Sequence, residues 1–97
     1  MSAQRNEVIV DSACARDISR LPSEAQEKLA VLLDVLAVNP FDPLLHTKPL
    51  SVPLQGMFSF RITRGYRVGF KFREAYVIQL LAVGSRDTIY ERLQRKI

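Results

Sequence analysis

Residues Tyr76–Val83, YVIQLLAV, form a nearly unbroken apolar run with a single polar residue, Gln79. A strand of that composition is buried on both faces, so it belongs inside a sheet and not at its edge. Two runs before it, Met57–Thr63 and Tyr66–Arg73, instead alternate apolar and polar residues. That is the period of strands with one face toward a core. Three consecutive strands of this kind, in a chain of 97 residues, leave the first half to supply the covering helices. Gly84 is expected to end the third strand. Asp87–Ile97 then carries Ile89, Leu93 and Ile97 at helical spacing, which predicts a short C-terminal helix.

The first half begins with a β-rich run, Glu7–Val10. Asp11 or Ser12 can cap a helix whose apolar residues are Cys14, Ile18 and Leu21. Pro22 suits the first turn of a second helix, because its missing N–H costs nothing there. That helix is expected over Ser23–Val38, with Ala25, Leu29, Leu32, Leu33 and Leu36 as its stripe. Asn39-Pro40 ends it, since proline disfavours a helical residue before it. Its second half, LAVLLDVLAV, has only Asp34 as a polar residue. Such a helix is covered on more than one side, either by the sheet and first helix or in part by a partner. Residues 40–56 hold four of the five prolines and read as an irregular loop. The order is βααβββα, an α+β domain over residues 1–97 with helices packed on a mainly antiparallel sheet.

The hairpin between the first two of the three strands bears on chemistry. Residues directly opposite one another share a face of the sheet. Keeping Phe58, Phe60 and Ile62 on the same face as Tyr66, Val68, Phe70 and Phe72 pairs Ile62 with Tyr66 and Arg61 with Arg67. The loop is then Thr63-Arg64-Gly65, with Gly65 at the position where a three-residue turn requires a left-handed residue. Ser59, Arg61, Arg67, Gly69 and Lys71 line the opposite face. Two facing arginines repel, a cost kept low by splaying into water or by meeting an anion. Guanidinium groups make forked hydrogen bonds to phosphate, so an anion there points to phosphate chemistry.

Charge distribution agrees. Residues 1–56 carry five Lys/Arg and seven Asp/Glu, net −2, whereas residues 57–97 carry nine and three, net +6. A polyanion or an acidic protein partner fits the second half. Arg86 and Tyr90 stand four apart and would share one side of the last helix. A tyrosine among arginines can stack a base or exchange a proton, although a tyrosine on an amphipathic helix is most often a packing residue. One cysteine, Cys14, and one histidine, His46, give neither a disulfide nor a zinc site, and no metal or cofactor is expected. Cys14 reads as a small core residue. No run reaches transmembrane length and the N-terminus lacks a signal-peptide core, so a cytoplasmic protein with no membrane partner is expected.

In this order the chain carries Leu21-Pro22, a Leu-rich helix ending at Asn39-Pro40, Lys48-Pro49-Leu50, Gly56-Met57-Phe58-Ser59-Phe60-Arg61-Ile62-Thr63, Gly65-Tyr66-Arg67-Val68, and Val83-Gly84-Ser85-Arg86-Asp87 followed by Tyr90. Together these resemble the RelE/ParE superfamily, the toxin halves of bacterial toxin–antitoxin pairs, over nearly the whole chain. The resemblance implies the same fold and a toxin that inhibits translation. RelE-like members are metal-independent endoribonucleases that cut messenger RNA, typically in the ribosomal A site, by attack of a 2′-hydroxyl on the adjacent phosphate. By this resemblance Arg67 contacts the scissile phosphate and Arg86 stabilises charge or the leaving group. Tyr90 stacks on or activates the nucleotide, and Arg61 matches an arginine of YoeB-like toxins. Lys48, Arg64, Lys71, Arg92 and Arg95 add cations for RNA. The implied partners are a cognate antitoxin, mRNA on the ribosome, and operator DNA through the antitoxin only.

The chain departs from the pattern at several positions. Phe58 and Phe60 stand where RelE has lysines, Lys48 stands where YoeB-like toxins have a glutamate base, and Ser85 stands where many relatives have histidine. Tyr90 or Lys48 is left as the base, with His46 as a loop substitute. Two alternatives remain open. One is a ParE-like inhibitor of DNA gyrase, whose relatives usually lack the Arg…Tyr pair. The other is a catalytically weakened toxin that mainly binds its antitoxin.

Overall fold

The computed structural model describes residues 5–97. Strand β1 (Glu7–Val10) leads through helices α1 (Ser12–Ser19) and α2 (Ser23–Val38) to a 3-10 turn at Pro43–Leu45. Strands β2 (Lys48–Pro49), β3 (Met57–Thr63), β4 (Tyr66–Glu74) and β5 (Val77–Ser85) follow, then helix α3 (Ile89–Gln94). The five strands form one sheet in the order β1-β5-β4-β3-β2. Only the β1–β5 pairing is parallel; the others are antiparallel. The α+β architecture is therefore the expected one, and β5 is interior as its composition demanded. No helix among the described residues is long and apolar enough to cross a membrane.

The helix boundaries have local causes. The Asp11 carboxylate accepts the Cys14 backbone N–H at 2.7 Å, capping α1. Pro22 precedes α2 directly, and Asn39 closes it in an extended conformation. Both helices lie on one face of the sheet, where α1 packs on β5 and α2 on β3. The core between them holds Cys14, Leu29, Leu36, Phe60, Ile62, Val68, Phe70, Ile78 and Leu80, each at most 1% or so exposed. Most of the apolar end of α2 is enclosed there, but Val31 and Val38 remain 63% and 56% exposed. The sheet and first helix thus cover most of that helix and leave these two valines uncovered.

The other face carries a second, smaller core of Leu50, Leu54, Leu81, Ala82, Ile89 and Leu93. This explains why β5 is apolar throughout. Ile78, Leu80 and Val83 face α1 and α2. An extra residue in β5, between the pairs Phe70–Leu80 and Gly69–Ala82, then turns Leu81 and Ala82 toward α3.

Four boundary expectations are corrected. The β3–β4 loop is Arg64-Gly65, because Thr63 pairs with Tyr66. Gly65 does not take a positive φ. Ile62 is the extra residue of a bulge, so Arg61 still faces Arg67 and Ile62 still reaches the core. Strand β5 begins after Tyr76, which occupies the left-handed turn position (φ 64°), and continues through Gly84 to Ser85. The last helix covers only Ile89–Gln94. Lys48-Pro49, inside the expected irregular loop, extends the sheet by pairing with Ser59 and Phe58.

Helix α3 sits close to β4 because Gly69 has no side chain. A Cβ there would lie 2.9 Å from Leu93 Cγ and closer still to both its methyl carbons. Leu93 is fully buried, so it has no free volume into which to retreat. Gly69→Ala should therefore destabilise the protein by about 1–3 kcal/mol through overpacking. Adding Leu93→Ala should recover part of that loss, so denaturant melts of the double variant should show less than the sum of the single effects. A double variant that is fully additive would refute this packing account.

The cap gives a pH-dependent expectation. The Cys14 N–H, assisted by Lys96, holds the Asp11 carboxyl below its ordinary value of 3.8. A depressed carboxylate stabilises the fold above the unfolded value and loses that contribution as pH falls through the folded one. Asp11→Ala should cost about 1 kcal/mol at neutral pH. In urea melts the difference from the parent should shrink as pH falls below 3.8.

Candidate functional site

The register builds a row of residues across the α3 face of the sheet. Arg67 lies between Gly84 on β5 and Arg61 on β3. The next row is Ala82, Gly69, Ser59 and Lys48. Lys71 follows one row further, between Gln79 and Met57. Leu93 occupies the Gly69 position from above, so α3 covers the middle of this face and leaves the Arg61–Arg67 row toward the hairpin end. Both arginines are half-buried. Among the described residues, neither has a carboxylate within 4 Å. Two arginines opposite one another in register, with no carboxylate within 4 Å among the described residues, leave positive charge free to meet an anion.

Tyr90 is half-buried and packs at the margin of the second core, so it does serve in packing. Its ring also faces a groove of about 340 Å³ lined by Lys48, Leu50, Leu54 and Gln94 among others. Lys48 Nζ lies 5.8 Å from the ring centroid, a cation–π approach. Lys48 is exposed. The Ser59 hydroxyl, between Gly69 and Lys48 in the row, is fully buried without a hydrogen-bond partner.

Arg86 is placed differently from expectation. It lies before α3, so it does not share a helical side with Tyr90. A turn over Ser85–Thr88 holds it. The Ser85 and Thr88 hydroxyls are 2.9 Å apart, and each accepts the other residue's backbone N–H. The Arg86 N–H donates to the Gly65 carbonyl at 3.0 Å. Arg86 thereby joins the hairpin end of the sheet, where the Arg61–Arg67 row lies. Arg64, at the hairpin tip, is exposed there as well.

Two other cations lie elsewhere. Arg92 points toward α1, bridging Asp17 at 3.2 Å and donating to the Val83 carbonyl at 3.1 Å. Arg95 pairs with Glu91 at 3.5 Å. The structure thus pairs Arg61 with Arg67 in register, sets Lys48 one row away with Tyr90 beside it, and ties the Arg86 backbone to the hairpin end. It sets Arg92 and Arg95 apart and leaves Lys71 further along the sheet. His46 is exposed and left-handed (φ 52°) after the 3-10 turn. It lines a separate cavity that Lys28, unmarked in the sequence, also reaches. Cys14 is buried, and burial pushes its thiol up to about 11, which suits a core residue and not a nucleophile. Among the described residues, no group of three His, Cys, Asp or Glu is placed to hold a metal ion.

No protein-family model matches the sequence, and no curated protein matches it. Solved structures do match in shape. A mutant of E. coli RelE in the free state superposes with a TM-score of 0.73 at 18% identity, over 96% of this chain and 98% of that one. A YoeB/ParE toxin from Agrobacterium tumefaciens gives 0.71 at 19% identity, over 82% and 98%. The RelBE toxin–antitoxin complex of Mycobacterium tuberculosis gives 0.63 at 25% identity, over 84% and 99%. The fold is that of the RelE/ParE-superfamily toxins. In this chain Arg61 and Arg67 face each other across the hairpin, and the turn before α3 is tied to the same hairpin through the Arg86 N–H.

Arg92 and Arg67 make contrasting expectations within this RelE-like frame. Arg92→Ala removes an ion pair and a hydrogen bond that fasten α3 to α1 and β5. It should lower stability by roughly 1 kcal/mol in thermal melts. Arg67→Ala relieves a like-charge contact and should leave the melting temperature unchanged or raised. A large loss on Arg67→Ala would mean that this arginine holds the fold and not a ligand.

Proposed function

We propose that this chain is the toxin of a toxin–antitoxin pair and that it cleaves messenger RNA on the ribosome without a metal ion. The observation that carries the reading is the facing pair Arg61 and Arg67, half-buried and without carboxylate partners, on the face that also holds Lys48 and Tyr90. In the reaction the 2′-hydroxyl oxygen bonds to the adjacent phosphorus and the bond to the 5′-oxygen breaks. The 2′-proton is removed and a proton reaches the departing 5′-oxygen. The products are a 2′,3′-cyclic phosphate and a 5′-hydroxyl.

Arg67, with Arg61 beside it, holds the non-bridging oxygens as charge accumulates on the phosphorane. Arg86, tied to the hairpin, adds positive charge at the leaving or attacking oxygen. Tyr90 stacks on the neighbouring base or carries a proton, with Lys48 over its ring. Arg64 lies on the path of the flanking RNA. The antitoxin reading is supported by the M. tuberculosis complex, and also by RelE–RelB from Pyrococcus horikoshii and YoeB–YefM from Staphylococcus aureus, all solved with a partner. The exposed Val31 and Val38 of α2 give such a partner apolar surface. Contact with operator DNA runs through that antitoxin.

Cut sites are read by primer extension on mRNA from an in vitro translation reaction. Arg67→Ala should slow cleavage by about 10²–10³-fold, the usual effect of losing one preorganised charge donor, and should release growth arrest. Tyr90→Phe separates two roles: loss of activity means proton transfer, and retention means stacking. A zinc-selective chelator, with Mg2+ kept for the ribosome, should leave cleavage intact. Stalled translation without cut mRNA, together with blocked supercoiling by gyrase, would replace this reading with the ParE-like one.

A further inference from the structure

Lys28 of α2, His46 after the 3-10 turn, and Arg61 and Arg64 of the β3–β4 hairpin line one cavity of about 190 Å³. Its other lining residues are Leu44, Ile62 and Thr63, and no carboxylate is among them. Among the described residues, none of Lys28, Arg61 and Arg64 has an acidic partner within 4 Å. Three elements distant in sequence thus converge three permanent cations and an imidazole on one concavity. Like charges collected in this way repel, and a concave wall concentrates their field on whatever enters. An anion relieves the repulsion.

We propose that this cavity seats a phosphate of single-stranded RNA that flanks the phosphate held by Arg67. The proposal rests on the RNA reading of the Arg61–Arg67 face and extends it. Arg61 is the link, because it stands opposite Arg67 in the sheet and also lines the cavity. A strand whose scissile phosphate meets Arg67 passes next over Arg61 to the hairpin side of α2. A carboxylate of a protein partner is the competing occupant, but protein interfaces anchor on buried apolar or aromatic groups. The one exposed apolar residue here is Leu44. A lining of several cations with little apolar surface fits a phosphodiester backbone, which offers charge at regular intervals and no side chains.

The test uses the intact protein and a fluorescein-labelled 2′-O-methyl oligouridylate of about twelve nucleotides, which cannot be cut. Binding is followed by anisotropy over a series of potassium chloride concentrations. Each phosphate neutralised on a single strand contributes about 0.7 to the slope of log affinity against log salt. Lys28→Ala with Arg64→Ala, which strips the cavity of two of its three permanent cations, should reduce the slope by about 0.7, the share of one phosphate, and Lys28→Ala alone by part of that. Lys28 is exposed on a helix, where alanine is well tolerated, so the fold survives. In the mRNA-cleavage assay Lys28→Ala should raise KM several-fold with kcat kept. An unchanged slope in the double variant overturns the proposal. So does a variant that keeps its RNA affinity and loses affinity for the antitoxin, which assigns the cavity to a carboxylate. If the parent cuts no mRNA yet the slopes fall as stated, the nuclease reading fails and the phosphate site stands.

Discussion

The seat of Leu93 on Gly69 organises everything on the second face of the sheet. Without it, β4 and β5 would bury only one side, and the apolar residues Leu81 and Ala82 would meet water. With it, a helix of only six residues (Ile89–Gln94) is held by burial. A helix so short has no stability of its own. The same contact fixes where α3 stops covering the sheet. The row under the helix holds Ala82, Gly69 and the buried Ser59, and the row beyond it holds Arg61 and Arg67. Tyr90 leaves the helix on the β2 side and Arg92 on the α1 side. A packing contact between a leucine and a glycine thus decides which aromatic and which cations can meet one ligand.

The hairpin arginines are a local expense that the first core makes tolerable. Facing like charges weaken a strand pair by a few tenths of a kcal/mol to about 1 kcal/mol. Across the same segment Phe60, Ile62 and Val68 are fully buried under α2, each contributing about 1.5–3 kcal/mol. The sheet therefore keeps its register despite the repulsion. Preorganisation of the backbone is the consequence: the register holds Arg61 opposite Arg67 with no ligand present.

The sequence disclosed more of the faces than of the turns. Alternation places Phe58, Phe60 and Ile62 on the core side whether the loop has three residues or has two preceded by a bulge. The two solutions leave every side chain on the same face, so pattern could not separate them. Gly65 invited the three-residue choice, yet the Thr63 hydroxyl accepts its N–H and the shorter turn forms. Arg86 was misplaced because the apolar spacing of Ile89 and Leu93 does not show where the helix starts. The reciprocal Ser85–Thr88 bonds delay that start. Strand β2 escaped notice because Lys48-Pro49 is too short to carry a period. Lys28 carried no signal, being an ordinary polar position on α2, and His46 was marked only as a candidate loop base; the tertiary fold alone brings both to Arg61.

The basic C-terminal half resolves into two populations once pairing is considered. Arg92, Arg95 and Lys96 lie within 4 Å of Asp17, Glu91 and Asp11 respectively. Those to Asp17 and Asp11 join α3 and the C-terminal end of the chain to the start of the helical layer. These cations are consumed by the fold, and their field is largely cancelled at short range. Arg61, Arg64, Arg67, Arg86 and Lys48 have no such partners among the described residues. They gather at the hairpin end and the β2 side, where they leave a net positive field. Net charge alone could not tell these groups apart, since every lysine or arginine of residues 57–97 adds the same single charge to the +6, paired or not. What separates them is the placement of the acids: Asp11 and Asp17, beside and in α1, pair with Lys96 and Arg92, and no described carboxylate lies within 4 Å of Arg61 or Arg67. An acidic residue near Arg61 would have stabilised the hairpin and removed its capacity to hold a phosphate. Its absence from that row is the structural feature on which the functional reading most directly depends.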